Sequence, residues 1–103
     1  MKSYNKLVRD FIPQVIEKSG KKCDIRIASK EENLGLLEEK LKEEVQEYLE
    51  DKNIDELADV MEVLIGIAKK LGYTEEELFQ KRLMKKEERG SFDKGIVLER
   101  VWE

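Results

Sequence analysis

From Asn53 to Ala68 the chain contains no lysine or arginine, and its acids fall in a fixed order. At 100° per residue, Glu56, Asp59, Glu62 and Gly66 occupy a helical arc of about 120°. Leu57, Ala58, Val60, Met61, Val63, Leu64, Ile65, Ile67 and Ala68 cover the rest. An apolar surface wider than half the circumference is more than one neighbouring helix can bury. Such a helix either sits at the centre of its own fold or packs against a second subunit. In a chain of 103 residues the core is thin, so the expectation is a homodimer, or a dimer of dimers, that completes a helical bundle.

The acidity begins before this helix. Between Glu43 and Ala68 stand nine acidic residues and one basic residue, Lys52. Glu44, Glu47 and Glu50 recur every third residue, and so do Glu56, Asp59 and Glu62. Helical side chains three apart share a face, with Cβ atoms roughly 5–6 Å apart. The pattern predicts two carboxylate stripes on successive helices, each without a basic partner beside it. Uncompensated carboxylates repel, so they either face water or await a cation.

Composition narrows the classes. Charged residues make up 43% of the chain and hydrophobic ones 40%, with one Pro and six Gly. This suits amphipathic helices and leaves little turn material for an all-β fold. A net charge of −4 argues against binding a nucleic-acid polymer, which needs a basic surface. Cys23 is the single cysteine, so neither an internal disulfide nor a cysteine-based zinc site can form. The opening residues carry no apolar stretch resembling a signal peptide, and no run approaches the roughly 20 apolar residues of a membrane span. The expectation is a single cytoplasmic domain over residues 1–103 with no membrane partner.

The punctuation predicts an all-α fold of four helices. Asp10 can cap a first helix holding Pro13 in its opening turn, with Gly20 as a left-handed stop. Ser29 and Glu32 form a capping-box signature for a second helix that runs to about Asp51, with Leu34, Leu37, Leu41, Val45, Tyr48 and Leu49 on its apolar face. A break at Lys52-Asn53-Ile54 leads to the third helix, which Gly72 ends. Thr74 and Glu77 repeat the capping box for a fourth helix, which Gly90 closes. Short extended segments are expected near 23–28 and 95–101, and they could pair with each other.

Two readings of the acids stand side by side. In a chain with 24 acids, many helix faces are simply solvated. The other reading is a divalent-metal site: Mg²⁺ prefers carboxylate oxygens and water, and is commonly held by a few carboxylates plus substrate phosphates. Glu44 with Glu47, and Glu56 with Asp59, would face one groove. Basic residues collect elsewhere, as Lys6 and Arg9 before the first helix and as Lys81, Arg82, Lys85, Lys86 and Arg89 on the fourth. They could neutralise phosphate oxygens, or those on the fourth helix could serve the dipole at its C-terminus. Gly90-Ser91-Phe92 reads as a helix stop with a core aromatic, or as a ring near a nucleotide base. With no His in the chain, Ser–His and Cys–His dyads are excluded, and no glycine-rich phosphate loop is present. Metal-assisted hydrolysis fits this inventory best among common reactions.

Lys40-Leu41-Lys42-Glu43-Glu44-Val45-Gln46-Glu47, followed by Asp55-Glu56-Leu57-Ala58-Asp59-Val60-Met61, resembles the ExxE…ExxD signature of MazG-like nucleotide pyrophosphohydrolases. The segments Tyr4 to Pro13 and Lys86 to Phe92 look like the phosphoribosyl-ATP pyrophosphohydrolase-like branch of that family. The resemblance implies an all-α, oligomeric, MazG-like bundle that hydrolyses a nucleoside triphosphate to monophosphate and pyrophosphate with Mg²⁺, for which Mn²⁺ can substitute. It implies Glu44, Glu47, Glu56 and Asp59 as metal ligands. It places among Glu43, Glu44 and Glu47 the acid that orients or deprotonates water, and it implies nucleotide contacts from Lys6, Arg9, Lys86 and Arg89. Phe11 stands where the branch often has Lys, Ser91 where it often has Gly, and the spacer from Glu47 to Glu56 is short. The alternatives are phosphoribosyl-ATP as substrate, or a non-catalytic helical module that binds a nucleotide or a protein.

Overall fold

Local capping chemistry sets the helix boundaries. A computed structural model describes residues 1–103 and contains four helices: α1 (Ile12–Lys18), α2 (Lys30–Glu50), α3 (Ile54–Lys70) and α4 (Glu75–Arg89). At the start of α2, Ser29 Oγ accepts from the Glu32 amide at 3.3 Å, and the Ser29 amide donates back to Glu32 Oε1 at 3.0 Å. Thr74 and Glu77 make the same reciprocal pair at α4, at 3.0 and 3.1 Å. Asn53 caps α3 by accepting from the Glu56 amide at 3.0 Å. Each cap satisfies amide donors that would otherwise lack partners at a helix start, and each is worth about 1 kcal/mol.

The first helix departs from expectation. Phe11, not Asp10, occupies its N-cap, and no side chain caps it. The Ile12 amide instead donates to the Arg9 carbonyl at 3.0 Å, so a turn feeds the helix and Asp10 lies one position too early. Pro13 does stand in the opening turn. At the other end of the chain's main helical run, Gly72 takes φ +95°, which lets the Tyr73 amide reach back to the Ala68 carbonyl at 2.9 Å and stops α3.

Residues 51–53 turn the chain so sharply that α2 and α3 pack as an antiparallel hairpin. Gly66 faces α2 at close range: a Cβ there would sit 3.2 Å from Cδ2 of Leu37. α4 packs only on α3, through Leu78 and Phe79, and every residue from Lys81 onward is exposed. α1 packs on no other helix.

The core is correspondingly small, with Val63, Ile65 and Ala68 its only buried apolar side chains. Val45 and Leu49, placed on the apolar face of α2 by sequence, remain 40% and 53% exposed. The chain exposes 9866 Å², against roughly 6,000 Å² for a compact monomer of this mass. Its radius of gyration is 18.0 Å, where a compact chain of about 100 residues gives about 13 Å. Four helices are present, but one chain does not close them into a bundle.

Residues 23–28 and 95–101 form no strand and do not pair with each other. Alternation of apolar residues supplies a face but not a partner. Ile27, Ile96 and Val97 all stay more than 80% exposed. The first segment is anchored instead by Arg26, which bonds to Glu32. Phe92 is also no core aromatic, since it is 99% exposed. No helix is long and apolar enough to cross a membrane.

Candidate metal centre

The α2–α3 hairpin sets the acids of the two stripes opposite one another. Carboxylate oxygens of Glu44, Glu56 and Asp59 lie within 4.8 Å of each other, and so do those of Glu43, Glu44 and Glu47. Glu44 belongs to both groups and is the one buried charged residue of the chain, 7% exposed. Its neighbours Glu43, Glu47, Glu56 and Asp59 are half-buried, whereas Glu50 and Glu62, the outer members of the stripes, face solvent.

The environment of these acids is unbalanced. Glu44 Oε2 and Glu56 Oε2 are buried without any hydrogen-bond partner. An unmade bond at a buried charged oxygen costs more than a typical hydrogen bond contributes. Contact with the Glu44 carboxylate pushes the Glu47 pKa up, helped by burial and by the charges of Glu44, Glu43 and Glu56. Glu56 is also shifted upward, chiefly by desolvation and then by the charges of Asp59 and Glu44. Neutral protonated acids and a bound cation are the two ways to relieve such crowding.

Three cations of the chain itself reach the rim of the cluster. Lys6 Nζ lies 2.7 Å from Glu43 Oε1, and Arg9 Nη2 lies 2.7 Å from Asp59 Oδ1. Lys40 Nζ lies 3.1 Å from Glu44 Oε1 and 3.4 Å from Glu43 Oε2. The expectation that neither stripe has a basic partner is therefore overturned. Lys40 precedes Glu43 and Glu44 by three and four residues, and that spacing was the available signal. Lys6 and Arg9 come from the irregular segment before α1, 37 and 50 residues away from their partners, and no local pattern could pair them. The Lys6 bond holds the Glu43 pKa below the ordinary carboxylate range, with Lys40 assisting, and Glu43 in turn raises that of Lys6.

The structure thus brings together Glu43, Glu44, Glu47, Glu56 and Asp59, with Lys6 and Arg9 against them. It does not bring Lys86 and Arg89 there. Both are exposed near the end of α4, which makes no contact with α2, and neither forms an ion pair. The donor set is all carboxylate oxygen, the chemistry that hard divalent cations such as Mg²⁺ select. The two orphaned buried oxygens fit a cation as their missing partner. Comparison with protein-family models, characterised proteins and solved structures finds no match for this chain.

Proposed function

We propose that the protein is a Mg²⁺-dependent nucleotide pyrophosphohydrolase of the MazG-like kind, cleaving a nucleoside triphosphate to the monophosphate and pyrophosphate. The observation that carries this reading is the pair of partnerless buried oxygens, Glu44 Oε2 and Glu56 Oε2, within two three-acid groups that share Glu44 and are flanked by Lys6 and Arg9. Glu44, Glu47, Glu56 and Asp59 would hold the cation. Once bound, it supplies charge neutralisation for phosphate oxygens and activation of water. Glu43, kept ionised by two lysines, orients the attacking water together with the ligand acids. Lys6 and Arg9 face the phosphates and stabilise the charge that collects on the departing pyrophosphate. A hollow of about 210 Å³ lined by Tyr4, Lys6, Leu36, Lys40 and Glu43 borders the cluster at Glu43 and is not lined by the four ligand acids.

A screen of canonical and modified nucleoside triphosphates with Mg²⁺ or Mn²⁺, reading pyrophosphate against orthophosphate, tests the reading. Pyrophosphate release that is lost in Glu47→Gln and Asp59→Asn, with helical circular dichroism intact, supports it. Orthophosphate alone points to a different hydrolase. Release of neither leaves a non-catalytic helical module. Phosphoribosyl-ATP belongs in the same screen.

The same reading includes a second copy of the chain. The surface excess over a compact monomer exceeds the about 800 Å² per partner of a standard interface and has the scale of an obligate one. Met61 and Leu64 of α3, half or nearly half exposed, line a groove with Leu78 and Phe79 of α4. A chain with this little core needs its partner present as it folds, and another copy always is. Light scattering should give two or four times 12.1 kDa, with a concentration-dependent Tm. A folded monomer of concentration-independent Tm would refute this.

A further inference from the structure

Among the cations at the cluster, Lys40 differs from Lys6 and Arg9 in place and in burial. It lies on α2 itself, one turn before the acids, and its side chain is 15% exposed against 40% and 54% for the other two. Its ammonium spans two carboxylates, touching Glu43 Oε2 and Glu44 Oε1. The result at Glu44 is asymmetric: Oε1 is engaged, while Oε2 is buried and has no partner. A carboxylate gripped at one oxygen with the other left bare is oriented in the way a metal ligand must be. Ligating carboxylates are generally held by such outer hydrogen bonds, and losing one typically costs about 10–100-fold in metal affinity.

We propose that Lys40 is a positioning residue of the metal centre, fixing Glu44 through Oε1 so that Oε2 is the atom left free for the cation. The proposal rests on the metal-binding reading above and adds a residue and a role to it. Simple Coulomb reasoning predicts the opposite sign. A lysine this close to a divalent cation repels it, so removing the charge should tighten binding if Lys40 were only a counter-ion. If Lys40 orients Glu44, removing it should weaken binding despite the relieved repulsion.

The experiment measures Mn²⁺ binding alone, without nucleotide, by calorimetry and by electron paramagnetic resonance at neutral pH. Lys40→Met should bind on the order of ten-fold more weakly or worse. Lys40→Arg, which keeps a charged donor, should stay close to the unaltered protein. Lys40→Gln, one atom shorter but keeping a donor without the charge, should fall between them. Pulsed resonance should count an additional water on Mn²⁺ in Lys40→Met, as Glu44 Oε2 leaves the coordination shell. Equal or tighter binding in Lys40→Met or Lys40→Gln would overturn the positioning role while leaving the metal reading intact. Should Lys40→Met lose its helical signal, the Gln and Arg variants decide by the same sign. Failure of the unaltered protein to bind Mn²⁺ would remove both readings together.

Discussion

Neutralising Glu47 should make the metal-free protein more stable, although the residue belongs to the cluster the fold encloses. Its carboxylate meets that of Glu44 and feels the charges of Glu43 and Glu56, with no cation of its own. Each like-charge contact at helical spacing costs about 0.2–0.5 kcal/mol. Lys40 and Lys6 already offset part of the charge on Glu44 and Glu43, so the net repulsion is about 0.5–1 kcal/mol. In Glu47→Gln the amide also offers a donor to the Glu44 carboxylate. For a chain of this size the gain corresponds to a Tm rise of about 2–8 °C. Saturating Mg²⁺ acts in the other direction. At a hundred times Kd it stabilises the unaltered protein by about 2.7 kcal/mol, a shift on the order of 10 °C, and Glu47→Gln should lose most of it. Calorimetry at one fixed protein concentration, with chelator and with Mg²⁺, gives all four melting temperatures. Glu38→Gln, an exposed acid of the same helix, serves as the control and should change nothing beyond about 0.5 kcal/mol. A lower metal-free Tm in Glu47→Gln, or a retained Mg²⁺ shift, would refute the idea of mutually repelling ligands.

The pH dependence carries the same logic. Glu47 and Glu56 have raised folded-state pKa values, so their contribution is full below the unfolded pKa and fades as pH climbs through the folded one. Glu43 is lowered and acts oppositely, favouring the fold above its unfolded pKa and losing that on acidification. The Tm gap between Glu47→Gln and the unaltered metal-free protein should therefore close as pH falls from 7 into the carboxylate range; a gap of constant size would count against the assignment. At the hairpin, Gly66→Leu should destabilise by about 1–3 kcal/mol in denaturant melts, because a side chain there meets Leu37; an unchanged midpoint would mean that α2 and α3 are not in close contact. Thr74→Ala should cost about 1 kcal/mol by the loss of the α4 capping box, and a neutral result would show that α4 is held by other contacts.

What could be read from the sequence was whatever depends on neighbours within one helix turn or across one short loop. Ser29 with Glu32 and Thr74 with Glu77 cap their helices because three-residue spacing alone brings hydroxyl and amide together. Glu44 and Glu56 meet because a three-residue turn leaves the two stripes little choice but to face each other. Pairings that depend on where a flexible segment lies were not legible. Lys6 and Arg9 reach Glu43 and Asp59 from an irregular strap, and nothing near them in sequence indicates it. The failed pairing of residues 23–28 with 95–101 has a related cause. Strand-like alternation states that a segment needs a partner without saying that the same chain supplies one. Val45, Leu49, Met61 and Ile96 state the same need by staying exposed. The apolar surface on α3, too wide for one neighbour, was visible in the spacing from Leu57 to Ala68, and one chain leaves Leu57, Met61 and Leu64 uncovered. The acids themselves are thus set by local spacing and one short turn, whereas the residues that would cover the helices have no complement within the chain. The cluster can therefore form on the hairpin alone, while the stability of the hairpin depends on what covers it.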